Sequence, residues 1–171
     1  MRKTATLLSN ALLVGGERLM IRVELAHTFP ISAGDAFAYI TDTKNWKEFF
    51  PNFVRLDDPA HAKWDTPGDR VTVVIRLLGR EVQVNMTLEQ HQKDKRVTYV
   101  SRQQGLPDAR HERHFKAVPE GFEFCPVVAF APRRGLAGLF DRLLLKRAIA
   151  GALRKTIENL ESVFKQQRSR A

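Results

Sequence analysis

The sequence predicts one α+β domain in which a long C-terminal helix packs against a curved antiparallel sheet of about six to seven strands. Three observations support this prediction. Segments that alternate apolar and polar residues follow one another from residue 21 to residue 131, which is typical of antiparallel strands with one wet face. A helix-forming stretch without proline runs from about residue 136 to residue 167. The length of 171 residues and the hydrophobic content of 43% suffice for one core.

The first strand and two short helices are predicted between residues 21 and 50. The stretch Ile21–Phe29, "IRVELAHTF", alternates with the period of a half-buried strand. Ser32 can cap the next helix, and Asp35 stands three residues later, where its carboxylate favours the positive end of the helix dipole. A second short helix is predicted over Thr43–Phe50, and Pro51 ends it.

The middle of the chain predicts the rest of the sheet. Its segments alternate apolar and polar residues, and turn sequences such as "TPGD", "QGLPD" and "PEG" separate them. The strands are predicted at 52–56, 70–78, 81–90, 96–102, 109–118 and 121–131.

The C-terminal helix has two apolar stripes that face different ways. Leu153, Ile157, Leu160 and Phe164 recur at helical spacing and predict a buried face. A regular helical projection places Arg142 and Lys146 on this same face, whereas the apolar residues on the opposite face are Leu139, Phe140, Leu143 and Leu144. Two interpretations remain open: these leucines pack under the preceding loop while the basic side chains reach solvent, or they contact a membrane or a partner.

The positive charge is concentrated at the C-terminus. The chain carries a net charge of +9, and residues 133–171 account for +7 with ten basic and three acidic side chains. A local positive field can attract anionic lipid, nucleic acid or an acidic partner. The single cysteine, Cys125, excludes an internal disulfide and a cysteine-based zinc site.

The first nineteen residues are expected to be an extension that is disordered or not part of the native chain. Arg2 and Lys3 precede an apolar run, but Ser9 and Asn10 interrupt it and no signal-peptidase site follows. Met20 stands directly before the first strand, so we expect translation to begin there. Residues 20–168 are then expected to form a single ligand-binding domain.

Three stretches carry a resemblance to a known family: "PISAGDAFAYITDTKNWKEFFP", "TPGDRVTVVIRLLGREV" and "LFDRLLLKRAIAGALRKTIENLESVF". From about Met20 to Lys165 the sequence resembles the START/Bet v 1-like (SRPBCC) superfamily, and most closely its bacterial polyketide cyclase/dehydrase and lipid-transport proteins. The resemblance implies a helix-grip fold with a hydrophobic pocket between the sheet and the long helix. It implies no universal catalytic residue, and we expect neither a cofactor nor a metal.

The segment "ARHERHFKAV" holds the most informative polar residues. If Phe115 faces the helix, strand periodicity points His111 and Arg113 inward and His114 outward. The two histidines then cannot share a metal ion.

The inward His111 and Arg113 have two interpretations. They lie near a strand end and reach solvent, or they form a polar site that binds the head group of a ligand in an apolar pocket, where Tyr99 adds a hydroxyl. A buried arginine needs an anionic ligand oxygen or a carboxylate partner, because an unpaired buried charge costs several kcal/mol. The residues predicted to bind a ligand are Val73, Ile75, Val84, Met86, Tyr99, His111, Arg113, Phe115, Phe124, Val128, Arg142, Lys146 and Ile149, with Arg142 and Lys146 near the pocket entrance.

Three functions follow from these observations. We expect a non-catalytic carrier or sensor of a hydrophobic small molecule or lipid. This ligand is anionic if Arg113 contacts it. The alternative is a metal-free cyclase or dehydratase that uses His111 or Tyr99 as acid or base. A third is a module that binds a ribosome or an anionic membrane. Nucleic acid is less expected, since the aromatic residues face inward. The expected location is the cytoplasm, either free or at the periphery of a membrane.

Overall fold

The computed structural model describes residues 6–8, 11–12, 20–77 and 79–169. Two short strands, Thr6–Leu8 (β1) and Ala11–Leu12 (β2), pair with the strand that begins at Met20. The rest of the first nineteen residues lies outside the described part. The expectation that residues 1–19 are an extension separate from the domain therefore stays a prediction.

Seven antiparallel strands from Met20 onward form one open curved sheet, as the sequence predicts. The order across the sheet is β3-β9-β8-β7-β6-β5-β4, and every neighbouring pair is antiparallel. The strands are Met20–Phe29 (β3), Phe53–Leu56 (β4), Arg70–Leu77 (β5), Arg80–Gln92 (β6), Arg96–Arg102 (β7), Ala109–Val118 (β8) and Gly121–Phe130 (β9).

The helices lie between β3 and β4 and at the C-terminus. The first pair is Ala33–Thr41 (α1) and Trp46–Phe49 (α2), with a 3₁₀ turn at Thr43–Asn45 between them. Gly135–Phe140 (α3), a π-helical turn at Asp141–Leu145 and Lys146–Arg168 (α4) form the long C-terminal helix. The α+β helix-grip architecture is therefore confirmed.

The predicted cap of α1 is present. The backbone N–H of Asp35 donates to Ser32 Oγ at 3.1 Å, and the Ser32 hydroxyl donates to the Asp35 carboxylate at 2.6 Å. These bonds satisfy a free donor of the first turn and place a negative charge at the positive end of the helix dipole.

Packing is dense under one half of α4 and open under the other. Ile157, Leu160 and Phe164 are buried in the main core, together with α1, α2 and the sheet. The first half of α4 contributes Ala150 to a smaller cluster of four buried residues. A gap remains between this first half and the sheet.

The π-helical turn corrects the prediction of one regular helix. The N–H of Lys146 donates to the carbonyl of Asp141, five residues earlier rather than four. One extra residue turns everything before it by about 100° relative to α4. A projection that assumes 100° per residue through this turn therefore assigns the wrong helix face to residues before it, and Arg142 is one of them.

Candidate ligand cavity

A cavity of about 430 Å³ lies between the sheet and the first half of α4. This volume is within the range of small-molecule pockets, which are mostly apolar with few polar groups. The wall residues that are exposed to solvent mark the opening along α4 and after α2. They are Asn52, Ala148, Gly151, Ala152 and Lys155.

Most of the predicted ligand-binding residues lie in the cavity wall. They come from five strands and α4, because the inward positions of neighbouring strands share one face of the sheet. Their part in ligand binding stays a prediction. The wall contains Ile75, Val84, Met86, Tyr99, His111, Arg113, Phe124, Val128 and Ile149.

Two predicted positions belong to the packed core and not to the cavity. Val73 has no exposed surface and lies in the main core. Phe115 packs under α1, with ring centroids 5.0 Å from Phe37 and 5.3 Å from Phe124. Strand periodicity identifies the correct face for both, but it does not reveal which stretch of that face meets open space.

The two predicted entrance residues also lie outside the cavity wall. Arg142 is exposed within the π-helical turn and borders a separate hollow with Arg133 and Arg134. Lys146 is half-buried, about 100° around the helix from Leu145, where the wall on this helix begins. The structure thus does not place these two cations with His111 and Arg113.

Arg113 is a buried cation without a carboxylate partner among the described residues. Its side chain is 7% exposed and forms part of the cavity wall. Nη2 donates to the Tyr99 hydroxyl at 3.1 Å, whereas Nη1 has no hydrogen-bond partner. The guanidinium carbon lies 5.2 Å from the Tyr99 ring centroid and 6.0 Å from that of Trp46. Cation–π contacts offset part of the desolvation cost of the guanidinium, but Nη1 still lacks a hydrogen-bond acceptor among these residues.

His111 adds a neutral polar group beside Arg113. Its ring stacks on Tyr99 with centroids 4.5 Å apart, and Nε2 lies 2.8 Å from Ser101 Oγ. Burial, together with the nearby charge of Arg113, lowers the pKa of His111 to about 3. The imidazole is therefore uncharged at neutral pH, and the positive charge of this polar cluster belongs to Arg113.

The predicted phase of β8 is confirmed by the position of the second histidine. His114 points away from the cavity and pairs with Glu112 at 2.9 Å, so the two histidines lie on opposite faces. Within the described part of the chain, no group of three histidine, cysteine or acidic side chains could hold a metal ion.

Sequence reasoning missed three kinds of residue at this site. Ser101, in the cavity wall, carries a detectable signal, because it stands two residues after Tyr99 and so shares its face. Trp46 lies outside the wall and contacts Arg113 from α2, which is a tertiary contact that no local pattern shows. The small residues Ala148, Gly151 and Ala152 leave the cavity open along α4, and they look like ordinary helix surface in the sequence.

This arrangement can bind but offers limited acid–base chemistry. One end of an apolar cavity presents a guanidinium, a phenol, a serine hydroxyl and a neutral imidazole. Such a set matches the oxygen atoms of a carboxylate or a phenolate. A residue whose pKa is held so low is a weak base at neutral pH.

Comparison with solved structures shows the same fold in several proteins of low sequence identity. The protein of unknown function SA2116 from Staphylococcus aureus has a TM-score of 0.72 at 11% identity, over 91% of this chain and 99% of that one. CalU16 from Micromonospora echinospora has a TM-score of 0.65 at 11% identity, over 98% and 88%. At such identities the likeness shows the fold alone.

A further solved structure is the di-domain ARO/CYC StfQ from the steffimycin biosynthetic pathway. Its TM-score is 0.72 at 15% identity, over 89% of this chain and 52% of that chain. A comparison with curated proteins found no match. The family model described as "Polyketide cyclase / dehydrase and lipid transport" matches residues 20–165. Because this match spans most of the sequence, the chain belongs to the polyketide cyclase/dehydrase and lipid-transport family.

Proposed function

We propose that this protein binds a hydrophobic small molecule or lipid with an acidic head group, and carries it without converting it. The observation that supports this most directly is the buried guanidinium of Arg113 in a mostly apolar cavity, with no ion pair among the described residues and no hydrogen bond from Nη1. Family membership implies a hydrophobic ligand. The head-group charge is inferred from the side chains of this chain.

Among the residues that the structure describes, Arg113 lacks an anion that would compensate its buried charge. Burying a cation costs several kcal/mol unless an anion and hydrogen bonds compensate. In the described part of the chain, Arg113 has one hydrogen bond to Tyr99 and two aromatic contacts, but no ion pair. A ligand carboxylate within reach of Nη1 would supply both the missing charge and the missing acceptor. The alkyl or ring portion of the ligand would fill the space toward Ile149 and Leu153.

The test compares an acid with its matched alcohol. Decanoic acid and decanol have the same chain but differ in charge at neutral pH. Arg113→Met keeps the apolar length of the side chain and removes the cation. We expect this variant to bind decanoic acid roughly 10- to 150-fold more weakly, the equivalent of 1.5–3 kcal/mol for a hydrogen bond to a charged group. Decanol affinity should change much less, as measured by isothermal titration calorimetry.

Arg110→Met is the matched control. Arg110 lies on the same strand but faces outward and pairs with Glu89. Its replacement should leave both affinities unchanged. Equal losses for acid and alcohol in Arg113→Met, or no loss for either, would remove the head-group role.

A second candidate is a cyclase-type enzyme, favoured by the polar cluster in the cavity wall. Tyr99, Ser101 and His111 form one connected wall there. Turnover of a linear poly-β-ketone, abolished in His111→Gln while binding is kept, would establish this function in place of a carrier. Binding without turnover supports the carrier.

A further inference from the structure

An exposed apolar surface lies at the corner where the sheet passes into the long helix. We call it the apolar ridge: Leu136, Leu139, Phe140, Leu143 and Leu144. Three of them lie in α3 and two in the π-helical turn, and all five side chains are exposed. Leu136 is 87% exposed and the other four are 45–54% exposed. Among the side chains whose exposure the structure describes, the one other exposed large apolar side chain is Met20, at 37%.

A buried carboxylate and a close backbone contact anchor the segment that carries the ridge. Asp141 has no exposed surface and accepts hydrogen bonds from Arg133 through Nη2 at 2.7 Å, Nε at 3.0 Å and the backbone N–H at 2.9 Å. Gly138 packs on the backbone of Arg133 so closely that a Cβ would lie 2.0 Å from the carbonyl oxygen. The ridge thus presents a fixed face to its surroundings.

The charges around the ridge are positive. Arg134, Arg142 and Arg147 are exposed, and Lys146 is half-buried. Between residues 133 and 157 the one acidic side chain is Asp141, and Arg133 neutralises it. An apolar helical face bordered by arginines and lysines fits the boundary between lipid head groups and acyl chains. Each basic side chain near an anionic lipid surface adds about 1 kcal/mol to the attraction.

The same charges disfavour other occupants. A second copy docked symmetrically through this face would bring like-charged arginines together, which is destabilising. Nucleic acid would meet leucines that offer no base-stacking surface. No helix in the described residues is long and apolar enough to cross a membrane.

We propose that the apolar ridge docks this protein on an anionic lipid membrane. The ridge adjoins the cavity: Leu145 and Ala148 belong to the cavity wall, as do Leu106 and Pro107 of the β7–β8 turn. Arg133, which anchors the ridge, also donates to the carbonyl of Gly105 in that turn. Docking therefore brings the cavity opening close to the lipid. The proposal is independent of whether the cavity ligand is acidic.

The test is co-sedimentation of the full chain with vesicles. One set contains phosphatidylcholine alone, and the other has a third of it replaced by phosphatidylglycerol. We expect binding to the anionic vesicles to be at least tenfold stronger. Leu139→Ser/Leu143→Ser should weaken it at least tenfold, because each leucine loses about 1 kcal/mol or more of apolar burial. Arg142→Glu/Arg147→Glu should weaken it by a similar factor, and added salt should reduce the binding of wild type.

The controls distinguish binding through the ridge from nonspecific hydrophobic or electrostatic adsorption. Ala38→Ser makes an exposed apolar side chain polar on α1, outside the ridge. Lys93→Glu/Lys116→Glu makes the same charge change on exposed lysines at the far end of the sheet. Both controls should bind vesicles like wild type. All the substituted side chains are exposed, and circular dichroism spectra verify that each variant is folded.

A fluorescence readout distinguishes insertion from adsorption. Trp46 and Trp64 are buried, so a tryptophan introduced by Leu143→Trp reports the ridge separately. Its emission should shift to shorter wavelength with anionic vesicles. Several results would overturn the proposal: no vesicle binding, equal binding to both lipids, ridge variants that bind like wild type, or no emission shift. So would a dimer that the leucine substitutions dissociate, or sedimentation with RNA in place of lipid.

Discussion

The two halves of α4 face the same sheet but do different things there. From Ile157 to Phe164 the helix is embedded in aromatic side chains, and Phe164 alone has ring contacts with Phe29, Tyr39 and Phe122. From Lys146 to Thr156 the helix covers a cavity and contributes small or half-buried residues. The difference suggests that the second half stabilises the fold, which leaves the first half free to accommodate a ligand.

The largest expected effect comes from the packed half. Phe164→Ala should lower the free energy of unfolding by about 3–5 kcal/mol, because it leaves a void among buried rings. Leu153→Ala should cost less than about 2 kcal/mol, since Leu153 is half-buried and already borders open space. Urea denaturation followed by circular dichroism measures both. Equal losses would show that the two halves do not differ in this way.

The next effect concerns pH and the cavity wall. The pKa of His111 is lowered to about 3 by burial, whereas an unfolded histidine titrates near pH 6.5. Between these values the unfolded chain binds a proton that the folded chain does not, so stability falls as pH decreases through this window. Between pH 7 and pH 5, wild type should lose about 2 kcal/mol more stability than His111→Gln.

Urea midpoints at the two pH values make this comparison. His114→Gln, on the outer face of the same strand, leaves His111 in place and should keep the loss of stability that His111→Gln removes. If His111→Gln and wild type have the same pH dependence, His111 is not held neutral by the cavity wall.

The smallest expected effect is a gain in stability in the open half. A Cβ added at Gly151 would meet nothing within 4 Å, so Gly151→Ala gains helix propensity without a clash. The expected increase is about 0.5–1 kcal/mol, measured by thermal unfolding. Ala152→Gly, the reverse change at the next exposed position, should lose a similar amount. A loss of stability in Gly151→Ala would mean that the helix needs its glycine there.

The sequence predicts the regular parts of this fold well because their signals are local. Ser32 and Asp35 mark the start of α1, and alternation around Phe115 gives the inward face of β8. The π-helical turn at Asp141–Leu145 was not predicted, because hydrophobic periodicity registers a change of face but not the extra residue that causes it. The pairing of Arg133 with Asp141 was also missed, since it depends on the corner between β9 and α3.

The candidate site is predictable by face but not by position along a strand. Tyr99, His111 and Arg113 all lie in the cavity wall, as their strand phases indicate. Val73 and Phe115 share those phases and are nevertheless packed in the core. The distinction arises because α1 and α2 cover one end of the sheet and leave space at the other. That outcome depends on contacts between distant parts of the chain, such as the bond from Asn159 to the Phe49 carbonyl.

Because of the π-helical turn, a deletion of one residue can change the direction in which the apolar ridge faces. Removing a single codon, such as that of Leu144, would restore regular α-helical winding and swing Leu136, Leu139 and Phe140 by about 100° about the helix axis. The residues of α4 that contact the sheet would keep their register, and the cavity wall on that helix would be unaltered. In this architecture, the direction of the outer apolar face can therefore change by insertion or deletion, independently of substitutions that tune the interior.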